Sequence, residues 1–439
     1  MTTTQSTRTN GFTLLGISGR PLAAVLLGWF FVIFDGYDLI VYGTVQTRLI
    51  ELWGITDGQA GTIGSTAFIG MALGAIVVGR LSDAIGRKKA IILSVLILSV
   101  FTTLCALAPN PWVFGALRFL AGLGLGGLVP SVNVMVSELV PHERMAAWST
   151  VMMSGVPLGG SIAAILAQYI VPSSEYWGWR AMFLVALIAL VVGLPLALKV
   201  FPNDAEMRAL NGRPARVITT APEATASSVS SDRPTTEVQP KFSTLFSAKY
   251  RVITFWFTAA TFVTLFTWYG LGTWLPRLMQ TEGYDFGAAL RFTLALNLGA
   301  VLGSVITAWA GDKFGPIRAG IVAALLAGCA LMLLLTYPPV WAVYVILIFA
   351  GVGTHGTQIL IIAAVTQSYP NLMRGTALGW AMGVGRIGAV IAPQLAGLLL
   401  QWGLGARSNF LLFAAMALIS FSCLLIINAI LSKRQRSVA

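Results

Sequence analysis

The chain has 439 residues, of which 56% are hydrophobic and only 10% are charged. A soluble globular protein carries about 25% charged residues, so this composition excludes a soluble enzyme, a disordered protein and a nucleic-acid-binding domain. The formal net charge is +12, but the basic residues fall between long apolar segments rather than on one patch, which argues against nucleic acid as a partner.

Residues 1–20 are polar and Thr-rich and read as a cytoplasmic N-terminal tail. The apolar run that begins at Pro21 is too long for a signal-peptide core and reads as an uncleaved first span. A spanning helix needs about 20 apolar residues. Six segments reach that length near 21–46, 59–80, 89–108, 112–138, 146–171 and 180–200, giving a first half over 21–200. Residues 201–250 differ in composition, with few large apolar side chains. They read as a largely disordered cytoplasmic linker, with a short helix around Asp204–Leu210. Six further segments, near 252–276, 287–310, 317–337, 340–366, 375–400 and 408–431, give a second half over 251–431, followed by a tail at 432–439. Only helices or closed barrels satisfy the backbone in lipid, and barrel strands run to about 10 residues. The fold class is therefore all-α integral membrane, with twelve transmembrane helices in two six-helix halves.

With a cytoplasmic N-terminus, 21 of the 28 Lys and Arg residues fall inside, 5 outside, and Arg118 and Arg386 within spans. This bias makes both termini cytoplasmic. Cys105, Cys329 and Cys423 lie in apolar segments without metal or redox spacing. His142 and His355 are too few for a His-based metal site, so no cofactor is expected beyond a proton gradient.

The two halves repeat at an offset of 229 residues. Asp83-Ala-Ile-Gly86 matches Asp312-Lys-Phe-Gly315, Ala121-Gly-Leu-Gly124 matches Ala350-Gly-Val-Gly353, and Gly127 and Pro141 fall on Gly356 and Pro370. The stretch from Gly79 to Lys88 resembles the loop between spans two and three of major facilitator transporters. That resemblance implies a substrate site at the midplane between the halves. The loop reads as a cytoplasmic latch: Asp83 favoured at a helix N-terminus, Gly86 allowing a tight turn, and Arg87 and Lys88 reaching acids such as Glu138 or Glu143. Asp312 stands in the weaker second copy. The alternative is that these charges only set topology.

Four spans carry polar groups that are costly in lipid. Asp35 and Asp38 lie three apart in the first span, each costing about 2.5–3.5 kcal/mol on insertion scales. A pair of titratable acids there suggests proton coupling; mere solvation of one acid near the outer end is the alternative. Arg118 in the fourth span cannot lose its proton and needs an anion. Asp38 is its first candidate and Asp35 its second; snorkelling or carbonyl capping would also serve. Arg386 lies mid-way along the eleventh span, with no acid in spans eight to twelve. It reads as a site for a substrate carboxylate, or else as an Arg held by carbonyls or water. In the tenth span, Gly351-Val-Gly353-Thr-His355-Gly356 matches a dinucleotide pattern but lacks the strand that pattern requires. His355 and Gln358 are candidates for substrate contact, and a structural His bonded to a neighbouring helix fits equally well. The seventh span crowds Phe262, Phe266, Trp268, Tyr269 and Trp274, some expected to face lipid and Tyr269 the cavity.

Asp35-Gly36-Tyr37-Asp38, the Gly383–Pro393 stretch around Arg386, and His355 after the tenth-span glycines resemble the aromatic acid:proton symporter family. The Asp38 and Arg118 pairing also resembles proton-coupled sugar porters. The first resemblance implies a bacterial inner-membrane importer of benzoate or hydroxylated benzoates by proton symport, acting as a monomer and not as an enzyme. Gly155-Val-Pro157-Leu-Gly159-Gly160 only partly matches the antiporter pattern of the fifth span, which disfavours a drug exporter. A sugar symporter, a cation antiporter and a membrane enzyme are the rivals. The first has no need of Arg386, the second favours acids without it, and the third lacks a nucleophile or metal cluster.

Overall fold

A computed structural model describes residues 13–203, 206 and 242–436; the side chains of residues 79, 80, 83, 142, 146, 371 and 434–436 are outside that description. The helix expected at Asp204–Leu210 and most of the linker lie outside the described residues.

Among the described residues, twelve helices are long and apolar enough to cross a membrane. The first half comprises α1 Gly19–Trp53, α2 Asp57–Ile85, α3 Arg87–Cys105, α4 Pro111–Leu139, α5 Met145–Ile170 and the span α6, Gly178–Val200. The second comprises α7 Arg251–Thr281, α8 Phe286–Phe314, α9 Pro316–Leu333, α10 Val340–Ser368, α11 Asn371–Gln401 and α12 Gly405–Arg436. One difference from expectation is at the start. Thr13–Leu14 and Ile17–Ser18 form a short antiparallel hairpin, and Ile17 is buried against the first half, so this part of the tail is packed.

Burial sorts the helices into an inner and an outer set. Every residue from Asp35 to Thr47 on α1 and from Ala350 to Gln358 on α10 is buried, and on α7 only Tyr269 interrupts the buried run from Val263 to Pro276. These helices are enclosed on all sides, which only central positions allow. On α6 and α9 the outward side chains are apolar and exposed, as with Val191 and Val322 at 66%, a surface matched to lipid rather than water.

The halves meet mainly at the end where α1 passes into α2. There Thr56 caps α2 in a capping box with Gln59, and the adjacent Asp57 pairs with Arg277 of α7 at 3.2 Å. Thr56 Oγ1 donates to Gln401 Oε1 of α11 at 3.1 Å. A side chain at Gly61 would strike the Pro393 carbonyl, and one at Gly43 the backbone of Gly272 and Thr273. Pro393 has no N–H and disturbs the α11 ladder. Ser65 Oγ donates to Val390 O at 2.6 Å and Trp274 Nε1 to Pro393 O at 2.9 Å. Towards the opposite end α11 is open: at Gly375, Gly379 and Gly383, one turn apart, a side chain would meet empty space.

Candidate functional site

Within the first half, three helices converge on one carboxylate. Arg118 Nη1 of α4 donates to Asp38 Oδ2 at 2.6 Å, and its Nη2 to the Asp38 backbone carbonyl at 3.0 Å. Thr102 Oγ1 of α3 donates to Asp38 Oδ1 at 2.6 Å. All three are almost fully buried. Glycines at 122, 124 and 126 bring α4 against the backbones of α2 and α3, which places the guanidinium on the acid. Charge-assisted bonds of this kind are shorter and stronger than neutral ones. Thr102 was not visible from the sequence, because one Thr in an apolar helix carries no signal.

Asp35 does not join this cluster. Residues three apart on a helix stand about 60° from coincidence, enough to send two short side chains to different neighbours. Asp35 lies within electrostatic reach of Arg386 and Tyr269 in the second half, and its Oδ1 has no hydrogen-bond partner.

Arg386 stands fifteen residues from both Asn371 and Gln401, the ends of α11. Among the described residues it forms no ion pair. Its Nη1 donates to the Met71 carbonyl of α2 at 3.2 Å. No acid is expected in spans eight to twelve, and the nearby carboxylate, Asp35, comes from the other half. One turn from Met71, Phe68 packs on Tyr269 with ring centroids 4.9 Å apart. Tyr269 also touches the apolar cores of both halves, so an aromatic contact closes the interface beside the cation. Lipid-facing aromatics were expected among the five named on α7. Instead Phe266, Trp268 and Trp274 are buried, Phe262 and Tyr269 are partly buried, and Phe255 is the exposed one.

On α10, the His355 ring packs tilted against Trp268, with centroids 5.0 Å apart, and bonds the backbone of Met153 on α5. Its Nε2 has no partner. Gln358, one turn on, donates from Nε2 to Met382 Sδ at 3.0 Å, and its Oε1 has no partner. Met382 lies one turn from Arg386, so both α10 groups share the layer of the cation.

In the loop between α2 and α3, Gly86 has φ 91° and ψ 156°, a conformation essentially confined to glycine. Gly315, its repeat mate, has φ 87° and ψ 143°. Arg87 pairs with Glu138 at 3.0 Å. Lys88 forms no ion pair among the described residues; its Nζ donates to Leu198 O at 2.8 Å, capping the end of α6. Asp83 lies outside the described side chains, and Asp312 is exposed.

Two six-helix halves enclosing charged groups at mid-depth define a multi-pass membrane transporter rather than an enzyme. The model of the Major Facilitator Superfamily matches residues 24–303 and 292–438, and the chain belongs to that superfamily. It is 67% identical over 416 residues, 95% of this chain and 89% of the relative, to a gentisate transporter of Corynebacterium glutamicum. It is 33% identical to a benzoate transport protein of Acinetobacter baylyi, over 92% of this chain and 89% of the relative. A 4-hydroxybenzoate transporter of Pseudomonas aeruginosa is 29% identical, over 88% of this chain and 89% of the relative. A crystal structure of a D-xylose-proton symporter superposes with a TM-score of 0.72 at 15% identity, covering 92% of this chain and 97% of that one. This last likeness concerns the fold.

Proposed function

We propose that the chain imports an aromatic carboxylate with protons across the bacterial inner membrane, with both termini in the cytoplasm. The observation that carries this reading is Arg386: a cation at the middle of a span, at the interface of the halves, with no ion-pair partner among the described residues. Arg386 is only partly buried; a cation at this depth without an anion is costly, and a substrate carboxylate would supply two acceptors to its planar fork. Tyr269 beside it offers a face for the ring, with His355 and Gln358 in the same layer. Relatives named for gentisate, benzoate and 4-hydroxybenzoate support the aromatic class. A sugar, which has no carboxylate, would leave Arg386 unused.

Coupling is assigned to Asp38 with Arg118, and to Asp35. With Asp38 charged, the pair holds α1 to α4. A proton taken up on the outer side weakens that hold, and the halves rearrange around bound substrate. Contacts between the halves at the α1–α2 end, with α11 open towards the other, fit a state facing the cytoplasm, from which substrate leaves. Asp83, Gly86, Arg87 and Asp312 are assigned to the latch that closes that side. A monoanion carried with one proton moves no net charge and gains nothing from the membrane potential; each net charge moved adds about 2.3 kcal/mol per 100 mV.

Equilibrium binding of benzoate and 2,5-dihydroxybenzoate to detergent-solubilised protein tests the anchor. Arg386→Gln should weaken both by a hundredfold or more, and Arg386→Lys should recover little, because an ammonium lacks the bidentate geometry. Unchanged affinity in a folded Arg386→Gln protein would sink the assignment.

A further inference from the structure

His355 and Gln358 present a feature that carboxylate recognition does not use. Both are almost fully buried, at 3% and 6% exposure. Each has one polar atom satisfied and one orphaned. His355 bonds the Met153 backbone while Nε2 is unpartnered, so the bond is Nδ1–H to the carbonyl, and the neutral ring then holds a lone pair on Nε2. Sulfur in Met382 accepts and does not donate, so the Gln358 amide points its NH2 there and leaves the carbonyl oxygen free. Both orphans are therefore acceptors, one helical turn apart, in the layer of Arg386.

Buried acceptors without donors are costly, and most such groups in folded proteins find partners. A bound molecule that brings donors would satisfy them. A carboxylate brings none, and an unsubstituted ring brings none. A phenolic hydroxyl brings one.

We propose that His355 Nε2 and Gln358 Oε1 form a two-acceptor subsite for ring hydroxyl groups, so that the transporter selects hydroxylated aromatic acids over unsubstituted ones. This rests on the proposed function, with Arg386 fixing the carboxylate and the acceptor pair reading the substituents. Discrimination by a site built to bond a hydroxyl exceeds what apolar pockets achieve, because the analogue lacking it leaves buried groups unpaired.

The test is equilibrium binding of benzoate, 2,5-dihydroxybenzoate and 2,5-dimethoxybenzoate to purified wild type, Gln358→Met and His355→Phe. The dimethoxy analogue keeps the ring oxygens and cannot donate. Wild type should bind the dihydroxy acid ten- to a hundredfold more tightly than benzoate, and the dimethoxy analogue no better than benzoate. In each variant the ratio of dihydroxybenzoate to benzoate affinity should fall at least tenfold. Comparable binding of the dihydroxy and dimethoxy acids by wild type, or affinities that fall in parallel in the variants, would overturn the proposal. Wild type that binds none of the three acids would instead overturn the aromatic-carboxylate reading itself.

Discussion

Asp38 is held by three hydrogen-bond donors inside the first half, and this makes its pair with Arg118 a structural element as well as the proposed coupling element. Removing one partner of a buried ion pair costs about 3–5 kcal/mol, because the remaining charge is stranded, while removing both together costs far less. Arg118→Leu should therefore lower the thermal unfolding midpoint of solubilised protein markedly more than the double variant Asp38→Asn with Arg118→Gln; equal losses would show that the pair is not energetically coupled. Asp38→Asn resembles the protonated form. It should lose uphill accumulation yet retain exchange of labelled for unlabelled substrate, and full gradient-driven accumulation would refute its role. At this scale the sequence disclosed the charged residues, because charge in an apolar helix stands out. It did not disclose their backbone partners. The Met71 and Met153 carbonyls are present in every residue and mark no position, and the separation of Asp35 from Asp38 depends on which neighbour each short side chain meets.

Helix boundaries were legible because apolar length and polar punctuation set them, and the twelve segments expected match the twelve helices to within several residues at most ends. The largest departure is at α1, which runs on to Trp53 through Gln46, Thr47 and Arg48, polar residues that appeared to end the span. Within elements, glycines carry two different loads. A Cβ at Gly159 would strike the Ile33 carbonyl and the Tyr37 amide of α1, whereas one at Gly379 would meet nothing. Gly159→Leu should abolish the folded protein recovered from membranes, and Gly379→Leu should leave recovery near wild type; size-exclusion profiles of the two variants check this, and similar recovery for both would contradict the packing. Gly86→Ala forces a side chain into a conformation costing about 1–3 kcal/mol.

For the whole molecule, α2 and α11 lie close at one end and part towards the other, and the proposed transport cycle reverses this asymmetry. The Asp57–Arg277 pair ties the closed end. From sequence Arg277 carries only a topological meaning, because nothing in a single chain indicates which residues of opposite halves meet. Its partial exposure makes the pair worth no more than about 1 kcal/mol, enough to shift two states of similar energy. Arg277→Gln should raise labelling of a cysteine replacing Ser65, which is buried at the contact between the halves, by a membrane-impermeant thiol reagent, on a background without native cysteines; unchanged labelling would mean the pair does not hold that end shut. The central claim is the coupled import of an aromatic acid. Its most direct test is uptake of radiolabelled 2,5-dihydroxybenzoate by proteoliposomes with an acidic exterior and a neutral interior. The account predicts accumulation above the external concentration, beyond that of protein-free liposomes, abolished by a protonophore and absent in Arg386→Gln. Uptake that stops at the level of protein-free liposomes, or that a protonophore does not affect, would contradict it.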